Sequence, residues 1–199
     1  MGFSLYRVAA LSPQGEHTLL PAYEDSGIVL GNLRDAADWR QAAGLLDQWV
    51  EQQSISPEKQ LTTAADGKAA LEGLPTGLYL LCAAPYQKGG CTYTTTPVLL
   101  EPVGELKVTV PDSYMGDVIG DLNKRRGRVM GMDPTGDGNQ VISAEVPMAE
   151  MGSYAIDLRS MTQSRGSFTF HFVRYEDCPP AAQEKAIAEA KALQAAEEK

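Results

Sequence analysis

The chain has 199 residues, room for one large domain or two small ones, each with a modest core. A hydrophobic share of 43% and a charged share of 22% are ordinary for a globular protein. No run of about 18 apolar residues is present to span a membrane, and Met1 to Arg7 lacks the basic start and apolar run of a signal peptide. The net charge of −9 argues against attraction of the whole surface to nucleic acid and leaves only local basic patches for that role.

Phe3 to Leu11 reads as a strand with apolar residues on both faces, as in the centre of a sheet. Asp35 is a good N-cap for a helix whose buried stripe is Trp39, Ala42, Ala43, Leu46, Trp49 and Val50, ending near Gln53 before Ser56-Pro57. Asp66-Gly67 and Pro75-Thr76-Gly77 are turn signals. Short strands are expected over Ala69 to Leu71 and Leu78 to Ala83. Gln87-Lys88-Gly89-Gly90 reads as a hairpin loop into a strand from Cys91 to Thr95. Cys82 and Cys91 are placed to meet across that hairpin, which would imply an oxidising compartment. The favoured reading is three independent free thiols, with Cys178, and the disulfide is the alternative. There is no C-x-x-C, and the only histidines are His17 and His171, so no metal site is expected.

From about Pro97 the pattern changes. Leu106, Val108 and Val110 alternate with Glu105, Lys107 and Thr109 in a half-buried strand. A helix capped at Asp112 or Ser113 carries Met115, Val118, Ile119 and Leu122 at helical spacing, with Lys124 to Arg126 in its last turn and Gly127 at the position after its end. Strands over 128–132 and 140–146 flank a turn-rich loop containing Gly136 and Gly138. A second helix is expected over 150–161, with Met151, Tyr154, Ala155 and Leu158 on one face. A last strand, 167–174, places Phe168, Phe170 and Phe172 together and His171 outward. The order β-α-β-β-α-β is the split β-α-β or ferredoxin-like pattern. Beyond Pro179-Pro180, a run rich in Ala, Glu, Lys and Gln predicts a helical tail.

The fold class is therefore α+β, with a β-rich part carrying one inserted helix over 1–96, a ferredoxin-like domain over 97–178 and a helical tail over 179–199. Four cations, Lys124, Arg125, Arg126 and Arg128, fall within five positions. By spacing alone they are a solvated helix end that complements the helix dipole. No G-x-x-x-x-G-K-[S/T] phosphate loop occurs, and no nucleophile–base–acid set is found, so no catalytic residue and no cofactor are expected.

Two resemblances sharpen this. Phe3 to Val8, the helix around Trp39, Thr62 to Ala69 and Gly73-Leu74-Pro75-Thr76-Gly77-Leu78-Tyr79-Leu80-Leu81 resemble a Gram-positive pilin domain of the Cna B-type β-sandwich class. That likeness implies a sandwich over 1–96 and a cell-surface structural module. The lysine strand of the family's isopeptide crosslink would precede Phe3 and is not in the sequence, and Glu72, the sort of acid that assists such a bond, reads better as a surface carboxylate. The second resemblance rests on Pro97 to Pro102, Val110 to Asn123, Arg125 to Arg128, Val146 to Met151 and Tyr154 to Gly166. These phrases are similar, in order, to the fifth domain of elongation factor G and its paralogues. The likeness implies a ferredoxin-like fold and a bacterial cytoplasmic translation module that contacts ribosomal RNA and protein at the factor-binding centre, with no DNA or membrane partner and with GTP bound only by the parent family's absent GTPase domain. It makes Lys124, Arg125, Arg126, Arg128, Arg159 and Arg165 the expected RNA contacts, through backbone phosphates rather than base edges. Arg159 has a competing role as the partner of Glu150 or Asp157. Ser164 stands where that family usually has glycine. The phrases of the two halves overlap at Pro97, as in a hybrid or truncated chain.

Overall fold

The computed structural model describes residues 1–33 and 35–178. The expected helical tail over 179–199 lies outside the described residues. The chain divides into two compact units: one holds Met1–Ala9, Leu19–Leu100 and the residues from Glu176, the other Ala10–Thr18 and Glu101–Tyr175. The second unit thus includes a short segment that sequence patterning left in the first half.

In the first unit, β1 (Gly2–Leu11) is central, as its two-sided apolar pattern predicts. It leads through a tight turn into β2 (His17–Leu19). Helix α1 (Ala36–Gln52) begins where Asp35 accepts hydrogen bonds from the Ala37 and Asp38 amides at 2.8 and 3.0 Å. The Asp38 carboxylate returns the contact to the Asp35 amide at 3.4 Å, closing a capping box worth about 1 kcal/mol. The predicted stripe of Trp39, Ala42, Ala43, Leu46 and Val50 is buried against Val8, Leu78, Leu80 and Leu99. Trp49 is only half-buried, its indole N–H donating to the Ala22 carbonyl at 2.8 Å.

β3 (Lys59–Thr62) pairs antiparallel with β1, Phe3 opposite Leu61. Sequence patterning missed it because three of its four residues are exposed; the pairing, not an apolar face, makes it a strand. The strand expected over Ala69 to Leu71 does not form. β4 (Gly77–Ala83) lies next to β1. β5 (Tyr86–Lys88) and β6 (Cys91–Tyr93) make the expected hairpin, turning on Gly89 and Gly90, both at positive φ. The sandwich expectation is corrected here. The cover of this unit's core is α1 and the turn at Pro21–Ser26. Among the described residues the only other sheet is β5–β6, whose six residues are all exposed and cannot close a sandwich.

β7 (Val98–Pro111) starts in the first unit and continues in the second. There follow α2 (Met115–Lys124), β8 (Arg128–Pro134), β9 (Asn139–Pro147), α3 (Tyr154–Met161) and β10 (Ser167–Asp177). β7 and β9 pair antiparallel from Val103↔Pro147 to Pro111↔Asn139, β8 pairs antiparallel with β9, and β10 pairs with β7. The spatial order β10-β7-β9-β8 is the ferredoxin-like arrangement predicted from periodicity. Val118 and Leu122 of α2 and Tyr154 and Leu158 of α3 share one core with Leu106, Val108, Val110, Ile142, Ala144 and Val146, so both helices cover the same face of the sheet. Each large side chain so buried contributes about 1.5–3 kcal/mol.

The second helix begins four residues later than expected. Met148–Met151 is a 3-10 turn, and Ala155 is exposed rather than on the buried face. The delay has a packing reason. A side chain on Gly152 would fall on the Gln14 carbonyl, and one on Gly15 would meet the Ala149 carbonyl. The tip of the β1–β2 turn therefore lies backbone to backbone on this stretch, which is why residues 10–18 belong to this unit.

Candidate nucleic-acid interface

The cationic run at the end of α2 is shaped first by the helix terminus. The Gly127 amide donates to the Leu122 carbonyl at 2.8 Å and the Arg126 amide to the Asn123 carbonyl at 3.3 Å, a Schellman closure. The left-handed residue in it is Arg126, at φ 57°, and Gly127 is one place further on. A non-glycine residue in this conformation costs on the order of 1–2 kcal/mol, so something must hold Arg126 there.

Carboxylates do. Arg126 reaches both oxygens of Glu101 at 2.6 and 3.0 Å and Glu150 at 2.9 Å. The Glu101 side chain is 0% exposed, so the pair is a buried bidentate one. Arg125 donates to Asp121 at 2.7 Å, to the Glu150 carbonyl at 2.6 Å and to Asp157 at 2.5 Å, and its guanidinium lies 5.1 Å from the centre of the Tyr154 ring. Burial opposes charge on both arginines, and the acids more than offset it, raising their affinity for the proton. His17 is held near this cluster. Burial first, then the positive charge of Arg126, push its pKa down to about 4 against the opposing pull of Glu150, so it is neutral at pH 7.

Arg128 belongs to a second network. Arg128 of β8 and Arg174 of β10 meet Glu145 of β9 from either side, at 2.5 Å and at 2.6 and 2.8 Å. Hydrogen bonding to Arg174 leads, Arg128 adds to it, and partial burial opposes both; the Glu145 carboxyl is drawn down to about 2. The three arginines expected to meet phosphate are therefore each engaged with acids inside their own unit, Arg125 and Arg126 partly buried and Arg128 exposed. Glu101, Asp121 and Glu145 were not recognised beforehand. Each stands alone in the sequence, 4 to 29 positions from the arginines it meets.

The other three cations fare differently. Lys124 is the last residue of α2, Arg159 lies in the last turn of α3, and Arg165 is in the turn that follows. All three are exposed, and none has an ion pair among the described residues. The acids foreseen as partners of Arg159 are taken, Glu150 by Arg126 and Asp157 by Arg125. At the exit of α3, Gln163 and Ser164 are both left-handed, φ 52° and 63°, which explains why glycine suits position 164.

Other sequence expectations resolve simply. Cys82, Cys91 and Cys178 are free thiols, the favoured reading, and the possible Cys82–Cys91 disulfide does not form. Cys91 faces Lys88 within its own hairpin, while Cys82 lies partly buried on β4 near Asp47 of α1. Glu72 and His171 are exposed. Gly136 and Gly138, both at φ 82°, form the expected turn. No helix among the described residues is long and apolar enough to cross a membrane.

A solved crystal structure from Thermus thermophilus is 41% identical over 47% of this chain and 14% of that one, with a TM-score of 0.40. The chain thus matches only a small part of that protein's length. Residues 98–186, the stretch that contains the ferredoxin-like unit and both arginine networks, match the family model described as Elongation factor G C-terminus.

Proposed function

We propose that residues 98–178 are a ribosome-contacting module of an elongation factor G-like translation factor, acting in the cytoplasm by binding rather than by catalysis. The observation that carries this reading is the family match at 98–186, and the strand order with both helices on one face agrees with it. RNA contact falls to Lys124, Arg159 and Arg165, the exposed cations of the set that have no ion pair among the described residues, acting on phosphates. Arg125, Arg126 and Arg128 hold the shape of that surface. The 199 residues contain no phosphate loop, so ribosome contact is not coupled to nucleotide hydrolysis within them. The family match begins at Val98 and gives the pilin-type likeness of the first half, with its cell-surface alternative, no support.

Cosedimentation with 70S ribosomes across a salt series tests the proposal. Binding should weaken as salt rises, and Lys124→Ala, Arg159→Ala and Arg165→Ala should each lower the salt slope by about 1. A folded protein that stays in the supernatant at low salt, or whose binding ignores all three substitutions, refutes the assignment.

A further inference from the structure

We propose that the β1–β2 turn, residues 12–17, is a latch on the entrance of α3, closed while His17 is neutral and opened when His17 takes up a proton. Turn and entrance both belong to the second unit. The turn is a preformed body. The Ser12 amide donates to the Glu16 carbonyl at 2.9 Å, the Gly15 amide to the Ser12 carbonyl at 3.0 Å and the Glu16 amide to Ser12 Oγ at 3.1 Å, so the turn can leave its seat without unravelling. The seat itself is close packing of backbone. The Gln14 carbonyl lies against Gly152 and the Ala149 carbonyl against Gly15, so near that a methyl group on either glycine would clash. Among the described residues no backbone hydrogen bond ties the turn to residues 148–152.

The turn carries two ionisable residues, Glu16, which is exposed, and His17, which is half-buried. The Nε2 of His17 is buried and meets no hydrogen-bond partner among the described residues. An imidazolium donates from both nitrogens. Protonation in place would therefore bury a charged N–H with nothing to receive it, close to the positive charge of Arg126 at the end of α2. Glu150, the acid that acts on His17 from the α3 entrance, is already held by Arg126 at 2.9 Å. In the closed state His17 has a pKa of about 4, below its ordinary value of 6.5. A proton is thus bound more tightly by the open state. Closure is at full strength above about pH 6.5 and weakens about tenfold per pH unit below it, until the closed pKa near 4 is reached. Opening removes the support beneath Glu150, whose side chain holds Arg126 and whose carbonyl accepts from Arg125.

A pH titration of the full chain by two-dimensional proton–nitrogen NMR provides the test. The Gly15 and Gly152 amides should shift together, reporting a closing equilibrium that weakens about twentyfold between about pH 7 and 5. His17→Gln cannot take up a proton and should hold both amides at their closed positions over that range. Gly152→Ala places a methyl group on the Gln14 carbonyl and should bring the Gly15 amide to its open position at neutral pH, with the core resonances of Leu106, Val108 and Ile142 unmoved. Glycine amides that stay fixed in the wild type overturn the proposal, as do shifts that persist in His17→Gln. A His17 ring that titrates at its ordinary value while the turn stays closed overturns it as well, because its burial would then carry no linkage. The His17→Gln comparison stands by itself if Gly152→Ala fails to fold.

Discussion

The exits of α2 and α3 use the same backbone device with opposite anchoring. Both turn through non-glycine residues in the left-handed region, Arg126 in one case and Gln163 with Ser164 in the other. At α2 the left-handed residue is also the hub of an ion cluster that reaches a fully buried glutamate. At α3 the left-handed residues are exposed, and closure rests on the Ser164 amide reaching the Arg159 carbonyl at 2.9 Å, with Thr162 Oγ1 accepting from the Gly166 amide at 3.0 Å. The lesson is that a cation beside a helix end takes its role from the acids that face it. Arg126 is structural because Glu101 is buried opposite it, and Arg159 is open because its candidate acids are engaged elsewhere.

The largest effect that would break this contrast is expected from Arg126→Ala. It leaves the Glu101 charge buried without a partner and should cost about 3–5 kcal/mol, read by urea denaturation. Arg126→Gly relieves the backbone but still orphans Glu101, so it should remain strongly destabilised. If Arg126→Gly is as stable as the wild type, the clamp is not what holds the turn.

A smaller effect concerns the second network. The Glu145 carboxyl ionises near 2 when folded, below its ordinary value of 4.5. A depressed pKa gives stability that is present above about 4.5 and lost as the pH falls through the folded value near 2. Thermal unfolding followed between those limits should therefore show a steeper loss in the wild type than in Glu145→Gln. Parallel curves would mean that Arg128 and Arg174 contribute nothing through this acid.

Smaller still, Ser164→Gly should stabilise the α3 exit by about 1 kcal/mol by removing left-handed strain, a shift of a few degrees in Tm. The smallest expected change is in the stability of Arg159→Ala, within about 0.5 kcal/mol of wild type, although this substitution should weaken ribosome binding. A large loss of stability in Arg159→Ala would show that the exposed arginine has a structural partner after all.

The sequence alone was enough for the elements that bury a periodic apolar stripe. The capping box at Asp35 and the stripe from Trp39 to Val50 specify α1, and the alternation over Leu106, Val108 and Val110 with the two helical stripes specifies the β-α-β-β-α-β order, because local propensity and burial agree there. Where burial gives no pattern the sequence was silent or misleading. β3 is mostly exposed and exists through its pairing with β1, while Ala69 to Leu71 has strand-like composition but no strand to join. The role of the arginines was decided only by tertiary structure. A charged side chain looks the same in sequence whether it faces water or an acid, and Glu101 lies 25 positions from Arg126 and Glu145 29 from Arg174. Only the folding of β7, β9, β10 and α2 into one sheet-and-helix layer brings those charges within hydrogen-bond reach, where each is satisfied by an opposite charge instead of water.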